Sequence, residues 1–114
     1  MYRFEQENTS GPLSGWAAHG AEAVHVWKAF DDPLLQSVFG PVAPEARGLG
    51  EEMHARWCAF IRGESPDIAG GLAWPRFDGS ALLVFGDGRS RPGEVDLAEH
   101  RLWAGAPLEG TVSR

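Results

Sequence analysis

The sequence predicts an α/β fold whose sheet is incomplete by itself. A short strand at residues 2–4, an amphipathic helix at 49–62 and an apolar strand at 80–86 carry this prediction. The order strand, loop, helices, strand, helix is typical of α/β proteins. Two strands so far apart in the chain form a marginal sheet at best, since independent stability needs about three or more. We therefore expect the last strands of a larger sheet with flanking helices, or a domain that pairs its strands with another chain.

The first half of the chain contains the strand YRF at 2–4 and a turn-rich loop at 7–15, broken most strongly at Gly11-Pro12. The pattern after His19 is ambiguous. Val24 and Val26 alternate as in a strand, but the apolar positions 23, 24, 27 and 30 fit a short helix. We favour the helix and expect it to end near residues 31–33. Two prolines and two glycines predict an irregular segment at 38–48.

The helix at 49–62 is the clearest element. Its acidic residues lie in the first turn and Arg62 in the last, as the helix dipole favours, and Gly63 ends it. An apolar stripe with helical spacing runs along one face, formed by Leu49, Met53, Trp57, Phe60 and Ile61.

The remaining segments are read from their composition. Residues 63–77 are rich in Gly, Pro and small residues and predict a loop. The continuous apolar strand at 80–86 is the kind covered on both faces, and 87–95 reads as a turn-rich excursion. Residues 96–105 predict a short helix that turns apolar side chains toward a partner surface, namely Leu97, Leu102 and Trp103.

Composition and charge exclude several classes of protein. The 114 residues are 43% hydrophobic with five Trp, which is typical of a chain that packs into one domain or part of one. The net charge of −6, with Lys28 as the single lysine, argues against a nucleic-acid partner. No apolar run approaches the roughly 20 residues of a membrane helix, so we expect no membrane span.

The N-terminus and the cysteine content bear on location. MYRFEQENTS lacks the basic and then apolar pattern of a signal peptide, and the single Cys58 excludes an internal disulfide. Both features favour a cytoplasmic location, although the signal peptide of a longer protein would lie upstream.

Most residues able to do chemistry have a structural interpretation. The four histidines lack metal-ligand spacing among themselves and no cysteine pair completes a ligand set, so no metal site is predicted. GxGxxG is absent, so no cofactor is predicted, and GxSxG is absent, so no serine nucleophile is found here. We expect packing roles for His25 and Cys58, a boundary position for His54 and a solvated His100.

His19 in the stretch GWAAHGAEAVHVW differs from the other histidines. Its neighbours Ala17, Ala18, Gly20 and Ala21 are all small and leave the imidazole uncovered. A core histidine does not need this, whereas a catalytic one must be reached by other groups. The alternative is a histidine at a helix N-terminus that makes local hydrogen bonds.

Taken together, these segments resemble the C-terminal part of the type-B carboxylesterases, the α/β-hydrolase family that includes the cholinesterases. GWAAHGAE resembles the segment that carries the family's catalytic histidine. The helix LGEEMHARWCAFIR is similar to the penultimate long helix, with M-x-x-x-W-x-x-F at Met53, Trp57 and Phe60. The turn GESPD, the WPRF motif and the closing LLVFGDG and EHRLW segments follow in the family's order.

The resemblance implies the fold and which member of the catalytic triad this chain contains. Residues 1–105 correspond to the C-terminal portion of an α/β-hydrolase fold, the last sheet strands plus flanking helices, and 106–114 to a loose tail. His19 corresponds to the triad histidine, the general base of a serine ester hydrolase. In this superfamily the histidine comes last in the triad. The serine, the triad acid and the oxyanion loop would therefore lie in the missing N-terminal part of the domain, in the same chain or a separate one.

The resemblance further implies a small carboxylic ester as substrate and an isolated chain that is inactive. Glu22 is then either a loop-anchoring residue or a first-turn acid favoured by the helix dipole. Two alternatives stay open: a stand-alone, non-catalytic interaction module that binds a partner through its exposed strands, and one half of a split esterase.

Overall fold

The computed structural model describes residues 1–68 and 71–105, which form a mixed three-stranded sheet with helices packed around it. β1 pairs in parallel with β2, and β2 pairs antiparallel with β3. The predicted tail at 106–114 lies outside the described residues. In chain order the elements are β1 (Tyr2–Phe4), α1 (Ala21–Val26), α2 (Pro33–Phe39), α3 (Pro44–Ile61), β2 (Ala81–Gly86), β3 (Arg89–Glu94) and α4 (Leu97–Ala104).

The core forms where α3 lies against the central strand β2. Every residue of β2 after Ala81 is buried, which confirms the prediction of a strand covered on both faces. The cluster of buried side chains between α3 and β2 consists of Leu49, Met53, Leu83 and Phe85. Farther along α3, Phe60 is 70% and Ile61 is 73% exposed. The predicted apolar stripe is therefore buried at its start and uncovered at its end.

The prediction for residues 87–95 is wrong, because β3 lies there. Asp87 and Gly88 have φ values of 52° and 72°. Two successive residues with positive φ form the two-residue turn that matches the twist of a β-hairpin. Pro92 pairs with Leu83 but lies on an edge strand, where a missing N–H is tolerated.

The irregular segment predicted at 38–48 is also largely wrong. α2 occupies 33–39 and α3 begins at Pro44. The Asp32 side chain accepts a hydrogen bond from the Leu35 N–H at 2.9 Å and caps α2, with Pro33 in its first turn. The predicted end of α1 near residues 31–33 is wrong, because α1 ends at Val26. Asp32-Pro33 starts α2 instead, since an N-cap followed by proline also begins a helix.

A buried arginine holds the long loop after α3 in place. Arg56 is 0% exposed, and its Nε donates to Glu52 Oε1 at 2.9 Å. Its two Nη atoms donate to the carbonyl oxygens of Pro66 and Leu72 at 3.0 and 2.7 Å. Ser90 on β3 donates to the same Glu52 oxygen at 2.5 Å. One buried charge thereby connects α3, the loop and the sheet.

α4 forms as predicted at 97–104, capped by the Asp96 carboxylate, but no residue in it is buried. Leu102 is 76% and Trp103 is 73% exposed, so no described element covers its apolar side chains. None of the helices in the described ranges is long and apolar enough to cross a membrane.

Two glycines of α3 give a matched pair of substitutions. A Cβ at Gly50 would overlap the ring of the buried Phe30, whereas nothing lies within 4 Å of a Cβ at Gly48. We expect Gly50→Ala to lower the free energy of unfolding by about 1–3 kcal/mol. Gly48→Ala should raise it by roughly 0.5–1 kcal/mol, because helix propensity alone changes there.

Urea denaturation of both variants beside the unaltered chain measures these changes. Equal effects of the two substitutions would show that α1 and α3 do not approach each other closely at Gly50.

Candidate active-site histidine

The loop that leads to His19 is attached to the sheet where it leaves β1. The Glu5 N–H donates to the carbonyl of Phe85 at 2.7 Å, which extends the pairing of β1 with β2. The next side chain, Gln6, is buried, and its Oε1 accepts from the Gly88 N–H at 2.7 Å in the β2–β3 turn. The loop therefore starts from a fixed position, and no sequence pattern predicts that Gln6 anchors it.

The loop then closes on itself before it reaches His19. The Asn8 N–H donates to the Trp16 carbonyl at 3.0 Å, and the Gly15 N–H donates to the Asn8 carbonyl at 2.8 Å. Gly11 presses against the end of α2, where a Cβ would lie 2.9 Å from the Cα of Gly40. These contacts hold Trp16, three residues before His19, at a defined place.

His19 lies at the tip of a tight turn that ends at the start of α1. The Ala21 N–H donates to the Ala18 carbonyl at 3.0 Å, which closes a four-residue turn around His19 and Gly20. Gly20 has φ 83° and ψ −8°, the values of the third residue of a type II turn, where glycine is favoured. Gly20 is therefore favoured both by the positive φ that the turn requires and by the space that it leaves beside the imidazole.

The imidazole of His19 is exposed, and its neighbours Ala17 and Ala18 carry only methyl groups. The expectation that the ring is open to approach from outside is thus confirmed. In the described ranges no salt bridge involves His19. Its catalytic role stays a prediction.

Glu22 lies in the first turn of α1, one residue after the turn that holds His19. Its charge acts on Tyr2 of β1: burial raises the pKa of the Tyr2 phenol, and the Glu22 carboxylate raises it further. Glu22 is half-buried and forms no ion pair with His19 among the described residues. Its position is that of the first-turn acid, one of the two roles expected for Glu22.

The other three histidines occupy the kinds of place that the sequence predicts. His25 is 4% exposed and packs edge-on against Phe4, with ring centroids 5.2 Å apart. His54 is half-buried on α3, and His100 is exposed on α4. Within residues 1–68 and 71–105, no three potential metal-binding side chains come together.

An open cavity in the described part of the chain does not include His19 in its lining. The cavity has a volume of about 560 Å³ and lies beside the start of β1, walled by an aromatic cluster. Its described lining includes Arg56 and Arg76 but no serine, cysteine, histidine or carboxylate. The aromatic and apolar lining residues are Met1, Tyr2, Trp57, Phe60, Trp74 and Phe77.

Comparison with known proteins identifies the fold. No family model matches the chain, and no curated protein matches it. Among solved structures, a PNB esterase superposes with a TM-score of 0.70 at 20% sequence identity. The match covers 90% of this chain and 21% of that esterase. The fold is therefore that of the C-terminal part of an α/β-hydrolase, with a sheet that is incomplete by itself.

The burial of His25 predicts that the free energy of unfolding depends on pH. Its Nδ1 lies 3.3 Å from the Ala21 carbonyl, and its Nε2 is buried without a partner among the described residues. Burial lowers the pKa of His25, while the Ala21 hydrogen bond opposes that shift. A proton on Nε2 would be a buried charged donor with no acceptor, which is costly.

We expect the free energy of unfolding to fall as the pH drops below about 6.5, because the unfolded chain then binds a proton that the folded chain refuses. For one proton the slope is at most about 1.4 kcal/mol per pH unit. Urea denaturation between pH 7.5 and 5.5 measures it. His25→Phe should remove this contribution and His100→Gln should retain it. If the free energy of unfolding of His25→Phe changed with pH as steeply as that of the unaltered chain, a group other than His25 would cause the acid sensitivity.

Proposed function

We propose that this chain is the C-terminal part of a serine carboxylesterase of type B and that His19 is its general base. The observation that carries the proposal is an exposed histidine at the tip of an anchored turn, within a fold that superposes on a PNB esterase. The motifs around Gly15, His19, Met53 and Trp57 agree with this family in type and order.

The proposed chemistry needs a reachable imidazole. His19 removes the proton of a serine hydroxyl as the serine attacks the ester carbonyl, then returns the proton to the departing alcohol. The substrate is a small carboxylic ester. A carboxylate outside this chain holds the second ring nitrogen and fixes the tautomer, since no described carboxylate pairs with His19.

The open strand edge and the exposed apolar side chains support the proposal that further protein completes this chain. β1 is an edge strand with only β2 beside it among the described strands, so one row of its backbone groups is open for pairing. Large apolar side chains are also exposed at many positions along the chain, so other protein that covers them would bury apolar surface. They include Trp16, Trp27, Leu34, Phe60, Ile61, Leu102 and Trp103.

The same open edge favours a second candidate function. A strand edge without a partner also suits a non-catalytic module that binds another chain by strand addition. A split esterase combines both, because the second chain then supplies the serine and the acid. Ester hydrolysis depends on His19 in the esterase part and in the split esterase, and the interaction module has no hydrolysis at all.

The test begins with the native polypeptide that contains this sequence, isolated from its source cells together with any chain that co-purifies. We expect it to hydrolyse p-nitrophenyl esters and to be labelled by a fluorophosphonate. His19→Ala should lower kcat by at least about 10³-fold, because the serine loses its base. His100→Ala is the matched control, since this exposed imidazole on α4 is outside the proposed machinery.

The 114-residue chain alone should hydrolyse the same ester no faster than free imidazole at equal concentration. Hydrolysis by the native polypeptide that persists in His19→Ala would overturn the assignment of the base. A native polypeptide that neither hydrolyses esters nor reacts with the fluorophosphonate would favour the interaction module.

A further inference from the structure

Three reactive or charged side chains lie in the last turns of α3 and at its C-cap. His54, Cys58 and Arg62 follow one another at intervals of four residues and so lie on the same face of the helix. The proposed esterase function uses none of them. The sequence favours a packing role for Cys58, but the structure places a base beside it.

The hydrogen bonds of His54 fix which ring nitrogen carries the proton. Its Nδ1 lies 2.8 Å from the carbonyl oxygen of Val26, at the end of α1. A carbonyl oxygen can only accept, so Nδ1 carries the hydrogen and Nε2 has a free lone pair. Nε2 lies 3.5 Å from the Cys58 sulfur. The thiol therefore donates to Nε2, and the Val26 carbonyl orients the base from the opposite side.

The charged side chains on either side of His54 and Cys58 form ion pairs with neighbouring residues. Lys28 pairs with Glu51, one turn before His54, at 2.6 Å. Arg62, one turn after Cys58, pairs with Glu64 at 3.0 Å. The pKa of the Arg62 guanidinium is raised chiefly by Glu64 and to a smaller degree by Cys58. In the sequence Arg62 follows Cys58 by four residues and His54 precedes it by four, so the two lie one helical turn from Cys58 in opposite directions.

Both members of the pair can be reached from solvent. Cys58 is partly exposed and is not in a disulfide, and His54 is partly exposed as well. A nucleophile, a base at bonding distance and a group that orients the base are the arrangement that activates a thiol. Reactive cysteines are typically found in partly exposed sites beside cationic or imidazole groups.

We propose that Cys58 is an activated thiol that forms a mixed disulfide with small disulfides. The thiol proton passes to His54 Nε2 as the sulfur attacks one sulfur of the disulfide. The new S–S bond forms while the old one breaks, and the released thiolate takes a proton from the imidazolium or from water. The Cys58 sulfur is oxidised to the disulfide level, and the sulfur that leaves is reduced to a thiol because it takes the electron pair of the broken S–S bond.

The test measures the rate at which the 114-residue chain reacts with 5,5′-dithiobis(2-nitrobenzoate) near pH 6.5. Cys58 is the single cysteine, so the signal reports this site alone. A thiol without a neighbouring base is almost wholly protonated at that pH. We expect the native chain to react at least about threefold faster than the same chain unfolded in urea, because only the native chain holds the base in place.

His54→Gln should lose this advantage, and His100→Gln, which alters an exposed imidazole on α4, should retain it. Oxidised glutathione should give a single adduct by mass spectrometry, absent in Cys58→Ser. A native rate no higher than the unfolded rate overturns the proposal. So does a folded His54→Gln chain that reacts as fast as the unaltered one. Should His54→Gln fail to fold, the comparison of native and unfolded chains decides by itself.

Discussion

The burial of one face of α3 against β2 is the constraint on which the other elements depend. Met53 and Phe85 are fully buried at this contact, and Leu49 and Leu83 nearly so. Removing such side chains from water is the dominant favourable contribution to folding. Because β1 and β3 attach to the two edges of β2, the contact of α3 with β2 positions all three strands. The loop to His19 leaves from β1, so its starting point is set by the same contact.

A second constraint is the close approach of α1 and α3. A Cβ at Gly50 would lie 3.5 Å from the Cα of His25 in α1, and the Val26 carbonyl accepts a hydrogen bond from His54. α1 is only six residues long, too short to be stable by propensity alone. Its packing on α3 therefore keeps the helix formed, and the turn at His19 and Gly20 has a rigid element to end on.

Strong periodicity and burial made part of the fold predictable. The α3 stripe and the apolar strand β2 stand out because their side chains bury a full face. α2 and β3 could not be predicted in this way, because the residues that precede them, Asp32-Pro33 and Asp87-Gly88, also occur in ordinary turns. The exposed His19 could be predicted from its small neighbours. The pairing of His54 with Cys58 depends on a carbonyl oxygen 28 residues away from His54 in the chain, which no local pattern encodes. The serine and the acid that would complete an ester-hydrolysing site have no counterpart beside His19 in the described residues.

The parallel pairing of β1 with β2 has a consequence for biosynthesis. Tyr2 pairs with Leu83, roughly eighty residues later, so this contact closes a long loop and forms late in folding. At about 5–20 residues per second, the ribosome needs on the order of 4–16 s to supply the second strand after the first. During that interval β1 has an open edge on both sides, and any upstream strand that is already folded can pair with it first. Such a chain would add its last strands to an existing template instead of nucleating a sheet of its own.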